Sequence, residues 1–311
     1  MELVKTSMLK ISKNAKDTVN GLIELPDVIL FKNESRAVTL KLFMPRLNGY
    51  EFDYLGLQDN LSEVVIDFAL SRKTVEQYIA DRKFSRLNTE AKSKFKDHLH
   101  NKGELGELLL YMMLEGYLSA PQILSKMALK TNSEDYVKGA DGIHFVKVPN
   151  SERYHLIYGE SKLYDDVTDA FREAFSSISR FTDNENKDVR AFELALISSQ
   201  IENEVIDDKD KVLISQIIYP SRNPSSFSVS DAFGIFIGFN LNIPEDFSKK
   251  NEDDFENAIK EEVYNIVNNR VATIEQHIIK RELKAKNFYV FLIPFTDLNK
   301  TREELIKGIT K

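Results

Sequence analysis

Glu160 and Lys162 stand two residues apart inside an apolar run, with Tyr154-His155-Leu156-Ile157-Tyr158 before them and Leu163-Tyr164 after. Residues i and i+2 of a strand share a face, so this spacing sets a carboxylate beside an ammonium while Ser161 points the other way. Upstream, Gly142 to Val148 reads as a strand, Pro149-Asn150-Ser151-Glu152 as a turn, and Tyr154 to Leu163 as the returning strand. In an antiparallel hairpin centred near Ser151, paired residue numbers sum to about 302, which brings Asp141 across from Glu160 and Ser161. Two carboxylates and a lysine thus gather at one end of a hairpin, in strands where unused charge is costly.

That set suits metal-dependent cleavage of a phosphodiester. Mg²⁺ prefers hard oxygen ligands and keeps several waters. Asp141 and Glu160 would bind it directly, with the Ser161 carbonyl as a third candidate, while Lys162 would hold or help deprotonate the attacking water. The segment Lys102-Gly103-Glu104-Leu105-Gly106-Glu107 opens a helix. Glu107 in its first turn could bind a second metal or orient the water, and Glu104, on the same face, competes for that role. Each element alone has a plain structural reading. Glu-x-Lys can be a solvated strand pair, Asp141 a turn residue after Gly139-Ala140, and a glutamate at a helix start simply favours the macrodipole. The joint order and register carry the chemistry.

These residues need a scaffold, and the chain has enough length for one. Its 311 residues are 42% hydrophobic and 29% charged, as in a soluble globular protein. The absence of cysteine excludes disulfides, zinc ribbons and thiol catalysis. The five histidines lack zinc-ligand spacing, no glycine-rich phosphate loop is present, and no serine sits in a nucleophile elbow. With no signal-like or spanning apolar run, a cytoplasmic protein without membrane contact is expected. The net charge of −7 argues against indiscriminate nucleic-acid binding. Basic side chains nevertheless concentrate between Arg72 and Lys102, a flank that could meet DNA or simply be a solvated helix face.

The elements expected around the site form an α/β (α+β) fold with a mixed central sheet flanked by helices. A strand-rich N-terminal segment, residues 1–86, precedes a larger domain, residues 87–311. Within the first segment, Ala37 to Phe43 and the run Val64-Val65-Ile66-Asp67-Phe68 read as strands. Ser71 is expected to cap a helix through about Ala80, and Thr89-Glu90 to begin another. Leu105, Leu108, Leu109, Met112, Met113 and Tyr117 recur at helical spacing, with Gly116 placed as a C-terminal glycine. Ala120 to Leu129 reads as a short helix with Pro121 in its first turn. After the hairpin, Asp165-Asp166 opens an amphipathic helix over Val167 to Phe181. Val189 to Ile218 stays open between helix and strand, Ala232 to Phe239 is a buried strand, and Asp253 to Lys284 is one long helical stretch. Phe288 to Phe295 is a last strand and Arg302 to Ile309 a terminal helix.

At Asp141, Glu160-Ser161-Lys162 and Glu107, the chain resembles the PD-(D/E)xK nuclease superfamily. Ala140 stands where that motif has its proline. Lys102-Gly103-x-x-x-Glu107, followed by a leucine-rich helix and Gly116-Tyr117, is similar to the opening helix of archaeal Holliday-junction resolvases, and this likeness favours Glu107 over Glu104. More closely, Gly103 to Leu110, Gly139 to His144, Tyr158 to Lys162 and Phe233 to Phe239 resemble the HamA family, the small subunits of Hachiman anti-phage defence. The resemblance implies a Mg²⁺- or Mn²⁺-dependent deoxyribonuclease with Glu107, Asp141 and Glu160 at the metal and Lys162 beside it. It also implies a superfamily-2 helicase partner, HamB, that holds DNA degradation in check. The other readings are an inactive nuclease fold serving as a DNA-binding or regulatory subunit, and a stand-alone structure-specific repair nuclease.

Overall fold

Two apolar runs, around Tyr154–Tyr158 and Ala232–Phe239, become neighbouring strands at the centre of a sheet, and helices are laid on its two faces. The computed structural model describes residues 9–95, 103–130, 139–183, 187–205, 207–219 and 227–311. Helix α1 (Lys13–Asn20) is followed by β1 (Ile23–Glu24), β2 (Val28–Leu30), β3 (Val38–Met44) and a small ribbon of β4 (Leu47–Asn48) and β5 (Glu51–Phe52). Next come α2 (Tyr54–Ala69), α3 (Arg72–Ala80), α4 (Phe84–Ser93) and α5 (Glu104–Met112), which runs into a π turn over Met113–Tyr117. Strand β6 (Gln122–Ser125), the one-turn α6 (Lys126–Leu129), β7 (Gly142–Lys147) and β8 (Arg153–Leu163) lead to α7 (Val167–Thr182), α8 (Lys187–Glu204) and α9 (Asp208–Ile218). The chain closes with β9 (Ser228–Asn240), α10 (Glu252–Asn268), α11 (Val271–Lys280), β10 (Asn287–Phe295) and α12 (Leu298–Thr310).

Among the described residues the main sheet has eight strands in the order β1-β3-β10-β9-β8-β7-β6, with β2 also on β3. The pairs β3–β10, β10–β9 and β9–β8 are parallel, whereas β8–β7 and β7–β6 are antiparallel. The protein is therefore mixed α/β, with a central mixed sheet flanked by helices. Because β3 pairs with β10, residues on both sides of position 86 share this sheet. Alternation along the strands separates two cores. Phe233, Ile235, Ile237 and Tyr158 face the side covered by α7, α10 and α11, while Ile157, Ala232, Phe236, Phe291 and Ile293 face α2, α5 and α12.

Several local expectations hold for the expected reasons. The Ser71 side chain accepts from the Thr74 amide at the start of α3. Asp166 caps α7 by accepting from the Thr168 and Asp169 amides at 2.7 and 3.1 Å, and Val167, Ala170, Phe171, Ala174, Phe175 and Ile178 are buried along its stripe. The undecided stretch after Val189 is helical, as α8 and α9.

Other expectations are corrected. Val64 to Phe68 belongs to α2, not to a strand: Leu57, Leu61, Val64, Val65 and Phe68 form one buried helical stripe behind the Asp53 cap. The helix expected at Thr89 begins at Phe84, and the long stretch after Asp253 breaks in two at Asn269-Arg270. Ala120 to Leu129 is not one helix, because Gln122–Ser125 is fully buried and takes a strand partner in β7. Gly116 does not end its helix as a left-handed cap. It lies in the π turn, where α1 crosses so closely that an added Cβ would sit 2.4 Å from the Ala15 carbonyl oxygen. Gly116→Ala should therefore cost roughly 3 kcal/mol, since backbone rather than a mobile side chain must yield. Urea unfolding with an unchanged midpoint would refute that packing argument.

Candidate active site

Strand β8 carries Glu160 and Lys162 toward the layer of α7, and Ser161 toward α5. The hairpin register lies within one residue of the expected one, with Ile143 opposite Tyr158 and Lys147 opposite Tyr154. Beyond the ladder, the Asp141 amide donates to the Gly159 carbonyl at 2.9 Å. Its carboxylate Oδ2 accepts from both the amide and the hydroxyl of Ser161, each at 2.8 Å. Asp141 is thus locked to the strand that carries Glu160 and Lys162, and Ser161 does the locking.

The opening turn of α5 lies against the same place. A Cβ on Gly106 would meet Ser161 Oγ at 3.0 Å, so this glycine lets the helix close on the strand. The approach brings half-buried Glu107 into electrostatic contact with Asp141. Glu104, on the same turn, is buried and ion-paired with buried Lys130. The two competing glutamates are therefore in different surroundings, and Glu107 is the one that joins Asp141.

Glu160 Oε1 pairs with Lys162 Nζ at 2.6 Å, and Ser177 of α7 hydrogen-bonds Glu160. Burial, followed by the nearby Asp141 charge, raises the Glu160 carboxyl above the usual range against the opposing pull of Lys162. Burial likewise pushes Glu107 up to about 8, reinforced by Asp141 and opposed by Lys126. For Lys162 burial acts downward, but Glu160 and Asp141 outweigh it and the ammonium is held more firmly protonated than usual. Like charges crowded in a water-poor place raise carboxyl pKa values in this way, and a cation entering among them would reverse the shift.

The structure brings together Glu107, Asp141, Glu160 and Lys162, all four residues selected from sequence. It adds Ser161 as a double donor and Lys126, whose Nζ donates to Asp141 Oδ1 at 3.2 Å. Spacing does not point to Lys126, because the residues of β6 that deliver it read as helix in the sequence. The donor set is chemically right for a hard divalent cation: three carboxylates, two of them with raised pKa values. Among the described residues, though, no three acidic or histidine side chains already converge as a cation cage. Asp141 is bonded by Lys126 and Ser161, and Glu160 by Lys162 and Ser177.

Outside this cluster, His144 and His155 are strand side chains. Burial holds His144 neutral, its pKa lowered to about 3, and its Nδ1 donates to the Ala120 carbonyl at 2.8 Å. Of the basic flank, Lys73, Arg82, Lys83 and Arg86 are exposed on or between α3 and α4, while Lys96, His98, His100 and Lys102 lie outside the described residues. Among the described residues no helix is long and apolar enough to cross a membrane.

No curated protein and no solved structure matches the chain. A family model, HamA, matches residues 22–309, which includes every residue of the cluster and both ends of the sheet. The chain belongs to the HamA family, and so is a component of Hachiman defence.

Proposed function

We propose that this protein is a metal-dependent deoxyribonuclease of the PD-(D/E)xK type, the effector subunit of its defence complex, working with the helicase HamB. The observation that carries the reading is the meeting of Glu107, Asp141, Glu160 and Lys162, from three separate elements, at one end of the β7–β8 hairpin. The element order also supports it: α5, the antiparallel meander β6-β7-β8, the crossover helix α7, and β9 parallel to β8.

In this reading Asp141, Glu160 and Glu107 hold Mg²⁺ or Mn²⁺. When bound, the ion supplies Lewis acidity toward a phosphate oxygen and makes water easier to deprotonate. Ser161 fixes the direction of the Asp141 carboxylate. Lys162, steered by Glu160, hydrogen-bonds the attacking water and offsets the negative charge that gathers on the phosphate as the P–O bond breaks. The acidic overall charge fits an enzyme brought to DNA by a partner rather than by its own field.

Glu160→Ala should lower plasmid degradation by about a thousandfold in the presence of the helicase and Mg²⁺, with a circular dichroism spectrum like the wild type. Undiminished degradation by the purified variant would refute the assignment. Failure of the wild-type protein to bind Mn²⁺ in a calorimetric titration would favour an inactive nuclease fold used for binding or regulation.

A further inference from the structure

Lys126 is the first residue of α6, directly after the buried strand β6. Its backbone is anchored. Ser125 caps the turn by accepting from the Ala128 amide at 3.3 Å and donates its hydroxyl proton to the Phe68 carbonyl at 2.8 Å. The lysine side chain is only 13% exposed. Its ammonium contacts Asp141 Oδ1 at 3.2 Å and interacts electrostatically with Glu107 and Glu160 as well. Lys126 thus bonds Asp141 directly and lies within the electrostatic reach of the other two carboxylates. Lys162 differs, being paired with Glu160 on its own strand.

We propose that Lys126 is a displaceable counter-cation: its ammonium holds the place beside Asp141 Oδ1 that a divalent cation drawn in by Asp141, Glu107 and Glu160 would need. This rests on the nuclease reading, since it takes those carboxylates as the cation's ligands. The charge balance supports it. Three carboxylates face two ammoniums as the site stands. A divalent cation in place of Lys126 gives three positive charges against three negative, whereas a cation added beside Lys126 would leave an excess of positive charge and repel the ammonium at close range. Asp141 also has to free Oδ1, because Oδ2 is already taken by two donors from Ser161. A lysine suits this role because its point charge rides on a flexible stem and can swing out while the anchored backbone stays in place. Loading the site therefore competes with an internal cation, and Lys126 acts as a positioning residue that sets how much metal the protein needs.

The test is Mn²⁺ binding by calorimetry at pH 7.5 for wild type, Lys126→Met and Lys126→Arg. The methionine variant should bind Mn²⁺ about tenfold more tightly than wild type, and the arginine variant no more tightly. If Lys126→Met does not fold, Lys126→Gln, which still donates to Asp141 without charge, carries the same expectation. Equal or weaker binding by the folded uncharged variant, with wild type binding normally, overturns the inference and leaves the nuclease reading standing. No binding by any of the proteins overturns both.

Discussion

Metal-free Glu107→Gln protein should melt about 2–3 °C above the wild type at pH 8, yet lose DNA cleavage by about a hundredfold or more. Burial, and then the Asp141 charge, push the folded-state pKa of Glu107 up to about 8, from an ordinary carboxyl value of 4.5. The folded protein consequently holds this proton more tightly than the unfolded chain does. Its stability falls as pH rises from about 4.5 toward 8, and the ionised carboxylate is then a net burden on the apo fold. Glu107 keeps partial solvent contact, so only part of the full shift counts, a gain on the order of 1–2 kcal/mol at pH 8 for the glutamine variant. In a chain of this size each kcal/mol moves the melting temperature by about 1.5 °C. Calorimetry in EDTA at pH 5.5 and pH 8 reads the effect: the difference between the proteins should be clear at pH 8 and nearly gone at pH 5.5. The buried neutral His144 works in the opposite direction below pH 6.5, but it is common to both proteins and cancels in the difference. Added Mg²⁺ should raise the wild type more than the variant. Equal melting at pH 8, or a larger gap at pH 5.5, would mean that Glu107 is not held under strain by its neighbours.

The separation between what could and could not be read from the residues follows the range of the interactions. The hairpin was legible because its register depends on the turn and on an alternation with period two, both local, so Asp141 could be placed beside Glu160 by arithmetic. Helix α7 was legible for the same reason, its Asp166 cap and apolar stripe lying within a few residues of each other. Strand β6 was not. Its four buried residues become a strand only because β7 offers an edge, and Pro121 looks equally at home at the start of a helix. That one misreading hid Lys126, the residue next in the chain. Gly116 was misread in the same way: glycine near a helix end suggests a cap, and only the passage of α1, about a hundred residues earlier, shows that it serves a close crossing. Val64 to Phe68 failed through too short a window, since the stripe that makes it helical begins at Leu57. Nor could the residues alone show that Glu104 pairs with Lys130, a partner 26 positions along the chain.

Arg72→Met is expected to destabilise the protein more than any of the substitutions above, and to do so in a pH-dependent way. Arg72 lies between two buried carboxylates, with Nη2 3.1 Å from Glu115 and Nη1 3.6 Å from Glu204, and Nη1 also donates to the Gln122 carbonyl at 2.6 Å. Glu115 is fully buried in the π turn and accepts from the amides of Ser12 and Gln122 at 2.7 and 2.8 Å. The cluster therefore joins the entry to α1, the start of α3, β6 and the continuation of the helix that carries Glu107. Burial raises the carboxyls of both glutamates, Glu204 to about 7, and Arg72 is the chief influence holding them down. Removing one partner of a buried ion pair costs about 3–5 kcal/mol, because the other charge is left uncompensated, and here two charges are left. The melting temperature at pH 8 should fall by roughly 5–8 °C. With Arg72 gone the folded pKa values of Glu115 and Glu204 rise further above their unfolded ones, so the folded state regains stability as pH falls and both take up protons. The deficit at pH 5.5 should be clearly smaller than at pH 8, and Glu115→Gln in the Arg72→Met background should recover part of it at pH 8. A deficit that is the same at both pH values, and untouched by Glu115→Gln, would show that Arg72 contributes through its packed stem rather than its charge.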